Sequence, residues 1–239
     1  MKPINTLIYA KNLFNQAHSI APNIFDGITY AWEVLPRIKD FIKELADHLP
    51  GDFERLAENV WVGKGTEIDP SALIKGPAII GYGCAIRHAA FIRENVIIGN
   101  EVTVGNSTEL KNALLFDRVE VPHFNYVGDS VLGYKAHLGA GVILSNLKSA
   151  KDNIRIVVGN GESLDTGLKK FGALIGDFAE IGCNAVLNPG TIIGRESVIY
   201  PLTMVRGIVP ERHILKNDGS FMYFKKLLKR DCRPASGDH

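Results

Sequence analysis

A mainly β solenoid that advances six residues at a time is the fold class the sequence predicts, and three observations carry it. Stepping by six from Val62 gives Ile68, Ile74, Ile80, Ile86, Ile92, Ile98, Val104, Leu110, Phe116 and Pro122. Ten of these eleven positions are aliphatic or aromatic, against about five expected of a chain that is 46% apolar. The step slips, resumes at Leu132, Leu138 and Leu144, and returns from Ile175 through Ile181, Leu187, Ile193 and Ile199 to Val205. Second, glycine often follows the apolar position, as at Gly63, Gly81, Gly99 and Gly182, where the backbone is expected to turn sharply. Third, a period of six fits neither an amphipathic helix nor the two-residue alternation of one long strand. Each hexad reads as a short strand plus a corner, its apolar side chain facing inward.

The elements follow in chain order. Residues 1–60 lie outside the repeat. PRIKDFIKELADHL (36–49) sets Ile38, Phe41, Ile42, Leu45 and Leu49 on one helical face, with Pro36 near its start and Pro50-Gly51 at its end. This predicts a small N-terminal helical cap over the open first coil. Residues 61–215 form the repeat domain. Within it, Leu147 to Ala173 breaks the hexad count and is rich in Lys, Asp, Asn and Gly, which predicts a loop excursion over 147–173. Residues 216–239 hold SFMYFKKLLKR (220–230), read as a short amphipathic C-terminal helix, then a polar tail.

Composition narrows the function. Lys plus Arg (27) and Asp plus Glu (26) nearly cancel, so neither nucleic acid nor a membrane surface is an expected partner. The opening MKPINTLIYAKNLFNQ lacks the apolar run of a signal peptide, and no run of about 18 apolar residues would span a bilayer. Cys84, Cys183 and Cys232 are too scattered for a disulfide framework or a zinc site. A cytoplasmic protein without a metal is the expectation.

Several residues are candidates for chemistry. Arg93 and Lys111 each follow an apolar hexad position and are 18 residues apart, which in a three-hexad coil puts them on one face, about 4.8 Å apart along the axis. Two stacked cations suit a phosphate, although two solvated surface residues have the same spacing. His123, in VPHFNYVGDS just before the slip, is a candidate general base, or a structural histidine like most lone ones. Glu109 is placed to orient it. Tyr126 and Asn146 are candidate partners for sugar hydroxyls or a carbonyl, a role that buried Tyr and Asn more often leave to backbone groups.

Those residues also carry a resemblance. The run RENVIIGNEVTVGNSTELKNALLFDRVEVPHFNYVGDSVLGYKAHLGAGVILSNLK (93–148) resembles the acetyltransferase domain of the bifunctional N-acetylglucosamine-1-phosphate uridyltransferase/glucosamine-1-phosphate N-acetyltransferase family. TGLKKFGALIGDFAEIGCNAVLNPG (166–190) looks like its archaeal-type version. The resemblance implies a left-handed parallel β-helix of six to seven coils and a homotrimer with sites between subunits. It also implies acetyl transfer from acetyl-CoA to the amine of a phosphorylated aminosugar such as glucosamine 1-phosphate. In that family the residues matching Arg93 and Lys111 grip the sugar phosphate, the match to His123 is the base, and the matches to Tyr126 and Asn146 touch the sugar. His137 stands where the bacterial family has Asn, and joins the substrate set. Gly139 and Ala140, with a backbone N–H for the oxyanion, Cys183, and the cations Lys169, Lys170 and Arg206 are the candidate contacts for acetyl-CoA.

Departures qualify the match. Leu147 stands where the family has Tyr, and the Ser expected near Cys183 is absent. The first 60 residues have no room for the family's nucleotidyltransferase domain, so uridylyl transfer is not expected. A γ-class carbonic anhydrase would need a close histidine pair, and His88, His123 and His137 are too scattered. The alternative from another class is a non-catalytic trimeric module that binds a sugar phosphate or nucleotide sugar.

Overall fold

Inward apolar residues recurring at fixed spacing have one way to share a core, which is to stack. In the computed structural model, which describes residues 6–159 and 161–223, they do so as a parallel β-helix with three faces. The first face stacks eight strands, from Val60–Gly63 through Ala78–Ile80 and Val96–Ile98 up to Ile208–Val209. The second stacks eight, from Glu67–Ile68 to His213–Leu215, and the third seven, from Leu73–Ile74 to Met204–Val205. The left-handed hexapeptide-repeat fold is therefore present, with about eight rungs instead of the six to seven expected.

Register explains the undercount and the slip. Lower rungs repeat every 18 residues, as in Ala78↔Val96, but Leu110↔Val127 and Val127↔Leu144 are 17 apart. The missing residue is lost at the corner from third face to first, between Leu110 and Leu115 and again between Val127 and Leu132. The inward residues are therefore Leu115 and Val121, not Phe116 and Pro122. The tightened corners turn through Asn112 and Asp129 with φ of 46° and 48°, a conformation that Asn and Asp tolerate best after glycine. The glycines that follow the inward position have a different cause. A Cβ on Gly81 would lie 2.6 Å from the Gly99 carbonyl oxygen of the next rung, so close stacking of backbones excludes a side chain there.

The N-terminal helix forms, as Ile38–Ala46, with Ile38 and Ile42 buried and Phe41, Leu45 and Leu49 packed against the core. Its place differs from the expected end cap. Residues 7–46 make a strap along the side of the first face. The Leu13 carbonyl accepts from Asp177 N (3.1 Å) and Arg195 Nε (3.0 Å), and Asn15 N donates to the Asp177 carboxylate (2.8 Å). On the rung of Asp177, Trp32 packs on Phe171; lower down, Phe14 packs on Phe116, His18 stacks on Tyr134 at 3.8 Å, and the helix lies over the lower strands. The reason lies in the first-face strands AII, VII, ALL and ALI, which are apolar on both sides. Their outward residues Ile79, Ile97, Leu114 and Leu174 need a cover as much as their inward neighbours need a core.

The open ends are closed by short antiparallel strands. Phe53–Ala57 pairs with the first strand of the first face, and Phe221–Tyr223 pairs with the last of the second. Residues 221–223 of the expected C-terminal helix are thus strand, because they complete an exposed sheet edge; residues 224–230 of it lie outside the described residues. The 147–173 excursion leaves after Asn146 and returns at Phe171. It carries a hairpin, Arg155–Val157 with Ser163–Asp165, whose Ile154 and Ile156 are buried against the Gly190 corner. No helix of the described residues is long and apolar enough to cross a membrane.

Trp32 is 1% exposed and joins the strap to Phe171. Trp32→Ala is expected to cost about 3–5 kcal/mol in a denaturant titration; a loss below 1 kcal/mol would show that the strap is not part of the cooperative unit.

Candidate functional site

Stacking turns sequence spacing into columns, and two columns border the third face. At its edge with the first face stand Lys75, Arg93, Lys111 and Gly128 on successive rungs, fixed by the pairs Ile74↔Ile92, Ile92↔Leu110 and Lys111↔Gly128. At its edge with the second face stand Asn106, His123, Ala140 and Cys183. Between them, pointing outward, run Phe91, Glu109, Tyr126 and Ile143. Arg93 and Lys111 are therefore on neighbouring rungs of one face, as their spacing predicts. His123 is exposed on the rung of Tyr126 and Gly128. At most about 17 Å of backbone separates it from Gly128.

Gly128 is the pivot of this surface. A Cβ there would lie 2.6 Å from the Tyr126 hydroxyl and 2.8 Å from Asn146 Nδ2. Both groups thus converge over a position without a side chain, directly above Lys111. Asn146 is held from behind, where its Nδ2 donates to Asp129 Oδ2 at 2.5 Å. Asn112 Nδ2 donates to the other oxygen of Asp129 at 2.9 Å and to the strap's Leu35 carbonyl at 3.3 Å. Asp129 is buried, so its charge rests on these amides. Burial, and then the negative charges of Glu109 and Asp129, hold the Tyr126 phenol above its ordinary range, so it stays a neutral donor.

Asp129 and Asn112 were missed by sequence reasoning. The available signal was the five-residue step at each of their corners.

Glu109 does not orient His123 within the chain. It pairs with Arg93 Nη1 at 3.1 Å, while Glu94 lies 3.6 Å from Nη2, because the guanidinium is one rung below on the same face. The His123 ring makes no hydrogen bond among the described residues, and its backbone N donates to Asn125 Oδ1 at 3.1 Å. Above it, Gly139 N donates to the Ile181 carbonyl and Gly141 N to that of His123. Ala140 N–H is left as the open donor of that corner among the described residues.

His137 is not with Arg93. It lies on the second face, its Nδ1 3.1 Å from Glu180 Oε2, in an open depression of about 580 Å³ lined also by Glu101, Arg118, Glu120 and Lys135. The expected cofactor contacts divide too. Gly139, Ala140 and Cys183 stack above His123. The exposed Lys169 and Lys170 stand at the base of the excursion beside Asn146, and exposed Arg206 is higher on that same edge. Among the described residues no three His, Cys, Asp or Glu side chains are grouped to hold a metal ion.

A family model described as the GMPPB C-terminal domain matches residues 74–163. The bifunctional protein GlmU of Methanococcus maripaludis is 31% identical over 198 residues, covering 81% of this chain and 48% of that one. The bifunctional sugar-1-phosphate nucleotidylyltransferase/acetyltransferase of Sulfurisphaera tokodaii is 34% identical over 99 residues, 41% of this chain and 24% of that one. The chain spans about half the length of the GlmU protein it matches. Among solved structures, the Arabidopsis UDP-N-acetylglucosamine acyltransferase aligns over 67% of this chain and 62% of that one, at 14% identity and a TM-score of 0.42.

The Glu180 carboxylate raises the proton affinity of His137 above its ordinary value near 6.5. A group bound more tightly to its proton when folded stabilises the fold below its unfolded pKa, and that contribution fades as pH rises through the raised folded value. Glu180→Gln is therefore expected to lower Tm at pH 6 by no more than about 3 °C, the pair being partly solvated, and to leave Tm at pH 9 unchanged. An equal loss at both pH values would mean that the carboxylate acts by packing.

Proposed function

We propose, from the premise that this chain belongs to the hexapeptide-repeat acyltransferase family and is related to the archaeal GlmU proteins, that it transfers acetyl from acetyl-CoA to the amine of a phosphorylated aminosugar. The observation that carries the reading is the column Arg93, Lys111, Gly128: two cations leading up to a polar ledge formed by Tyr126 and Asn146, which fill the space over Gly128. A sugar of the glucosamine 1-phosphate kind fits it, phosphate on the cations and hydroxyls on the phenol and amide. The proposal covers acetyl transfer alone, without uridylyl transfer.

His123 takes the proton that the ammonium must lose before its nitrogen has a lone pair. The nitrogen then bonds to the thioester carbonyl carbon, whose oxygen becomes an oxyanion directed at the Ala140 N–H. Collapse re-forms the carbonyl and breaks the C–S bond. Coenzyme A leaves as thiolate and takes up the proton carried by the imidazolium, and the nitrogen gives its second proton to the freed imidazole, which passes it to solvent and leaves a neutral amide. Acetyl-CoA lies along the edge above His123, past Ala140 and Cys183, with Lys169, Lys170 and Arg206 available to its phosphates.

A homotrimer suits this reading. The strap occupies the first face, leaving the second and third to meet other copies, and the second face of one copy against the third of the next brings His137 toward the acceptor. A cytoplasmic location accompanies the use of acetyl-CoA.

His123→Ala is expected to lower sugar-dependent release of coenzyme A by about 10²–10⁴ while the protein stays folded; full activity in that variant removes the base. If the wild-type protein binds the sugar phosphate without turnover, the binding-module reading replaces this one. Cofactor position is tested by alkylation in a Cys232→Ser background. Burial pushes the Cys84 thiol up to about 11, so exposed Cys183 is the reactive one. Acetyl-CoA is expected to slow its alkylation several-fold; an unchanged rate at saturating acetyl-CoA contradicts the placement.

A further inference from the structure

The cation column does not begin at Arg93. One rung lower, on the same edge, stands Lys75, its backbone N donating to the Ile92 carbonyl at 2.8 Å as Arg93 N donates to that of Leu110. Lys75 Nζ lies 5.5 Å from the centroid of the Phe91 ring, and Arg93 Cζ lies 6.0 Å from the same centroid. Two like charges are thus gathered about one aromatic side chain. Arg93 already shares its guanidinium with Glu94 and Glu109. Lys75 and Lys111, one rung to either side, have no carboxylate partner within ion-pair distance among the described residues. Their unneutralised charges are two rungs apart, about 10 Å along the axis.

Direction along the column matters. Tyr126 and Asn146 meet over Gly128, one rung above Lys111, so a phosphoryl group attached to a sugar held against them falls between Lys111 and Arg93. A second phosphoryl group linked to the first falls one rung lower, between Arg93 and Lys75. A single phosphate on the upper pair leaves Lys75 without a role.

We propose that Lys75 is the third rung of a diphosphate site, so that the preferred acceptor is an aminosugar carried on two linked phosphoryl groups. This rests on the reading that the third face holds a phosphorylated aminosugar, and it narrows the substrate class. The shared chemistry is the diphosphate. Its far end is a nucleoside or another alcohol, or is free.

The test is built so that the two readings fail separately. Calorimetry with inorganic phosphate and inorganic pyrophosphate, on the full chain and on Lys75→Ala, needs no catalysis. Pyrophosphate is expected to bind the wild-type protein at least about tenfold more tightly than phosphate, with that advantage lost in Lys75→Ala and phosphate affinity unchanged. Equal weakening of both anions, no weakening of either, or no measurable pyrophosphate binding overturns the proposal. Lys75 is exposed, so the variant is expected to fold; a matching melting temperature checks this. In the activity arm, UDP-glucosamine and glucosamine 1-diphosphate are compared with glucosamine 1-phosphate. The KM of the diphosphates, not of the monophosphate, is expected to rise about tenfold in Lys75→Ala, and preference between the two diphosphates identifies the far end. Discrimination by calorimetry without acetylation of any sugar would retain Lys75 and remove the acetyl-transfer reading. Acetylation of the monophosphate alone, unaffected by Lys75→Ala, would do the reverse.

Discussion

Each coil rests on the one below at the spacing of a backbone hydrogen bond, about 4.8 Å, and that spacing fixes what a residue 17 or 18 places along the chain can touch. A side chain at a given point of one rung meets its counterparts above and below. Inward columns become a core, edge columns become ladders of like position, and a glycine is demanded wherever two backbones approach too closely for a Cβ, as at Gly81 beneath Gly99. The same constraint makes the first face apolar on both sides and so creates the need for the strap. With that face covered, the surface open to chemistry is confined to the other two.

The candidate site is where the regular period is broken. Two successive corners lose one residue each, and both turn through left-handed residues, Asn112 and Asp129. These two side chains bond to each other across the rungs, and Asp129 also fixes Asn146 at the mouth of the excursion. The shortened corners bring a buried carboxylate, a strap carbonyl and the Asn112 amide behind Asn146. A buried charge set among donors is tolerated because every oxygen has a partner, and the arrangement holds Asn146 still without using its side-chain carbonyl. Rigidity of this kind is what positioning a small acceptor requires.

Much of this was legible in the sequence, for a physical reason. Inward positions must be apolar and the repeat is strict, so the solenoid declares itself; Arg93 and Lys111 at a spacing of 18 are adjacent in any three-hexad coil. His123, Tyr126 and Asn146 stand out by their place at the register slip and the edge of the excursion, while the roles assigned to them come from the resemblance. The repeat alone points to Phe116 as inward, because a five-residue step between Leu110 and Leu115 cannot be told from a six-residue one when both landing points are apolar. The Glu109–His123 pairing failed because nearness in sequence does not fix which edge of a face a side chain occupies. A cap at the open end is the general expectation for a solenoid, but AII, VII, ALL and ALI, three apolar residues running, mark a side face that needs cover, and the strap lies there. His137 is the subtler case, since its second-face position makes it useful to the acceptor only across a subunit boundary that a single chain does not contain.

A crystal structure of the protein with glucosamine 1-phosphate and coenzyme A bound tests the central claim most directly. The account predicts the phosphate on Arg93 and Lys111, the sugar ring against Tyr126 and Asn146, and the coenzyme along the edge that carries Ala140 and Cys183. A sugar lodged in the charged depression around His137 and Glu180, with Arg93 still held by its two glutamates and nothing against Tyr126 and Asn146, would contradict it.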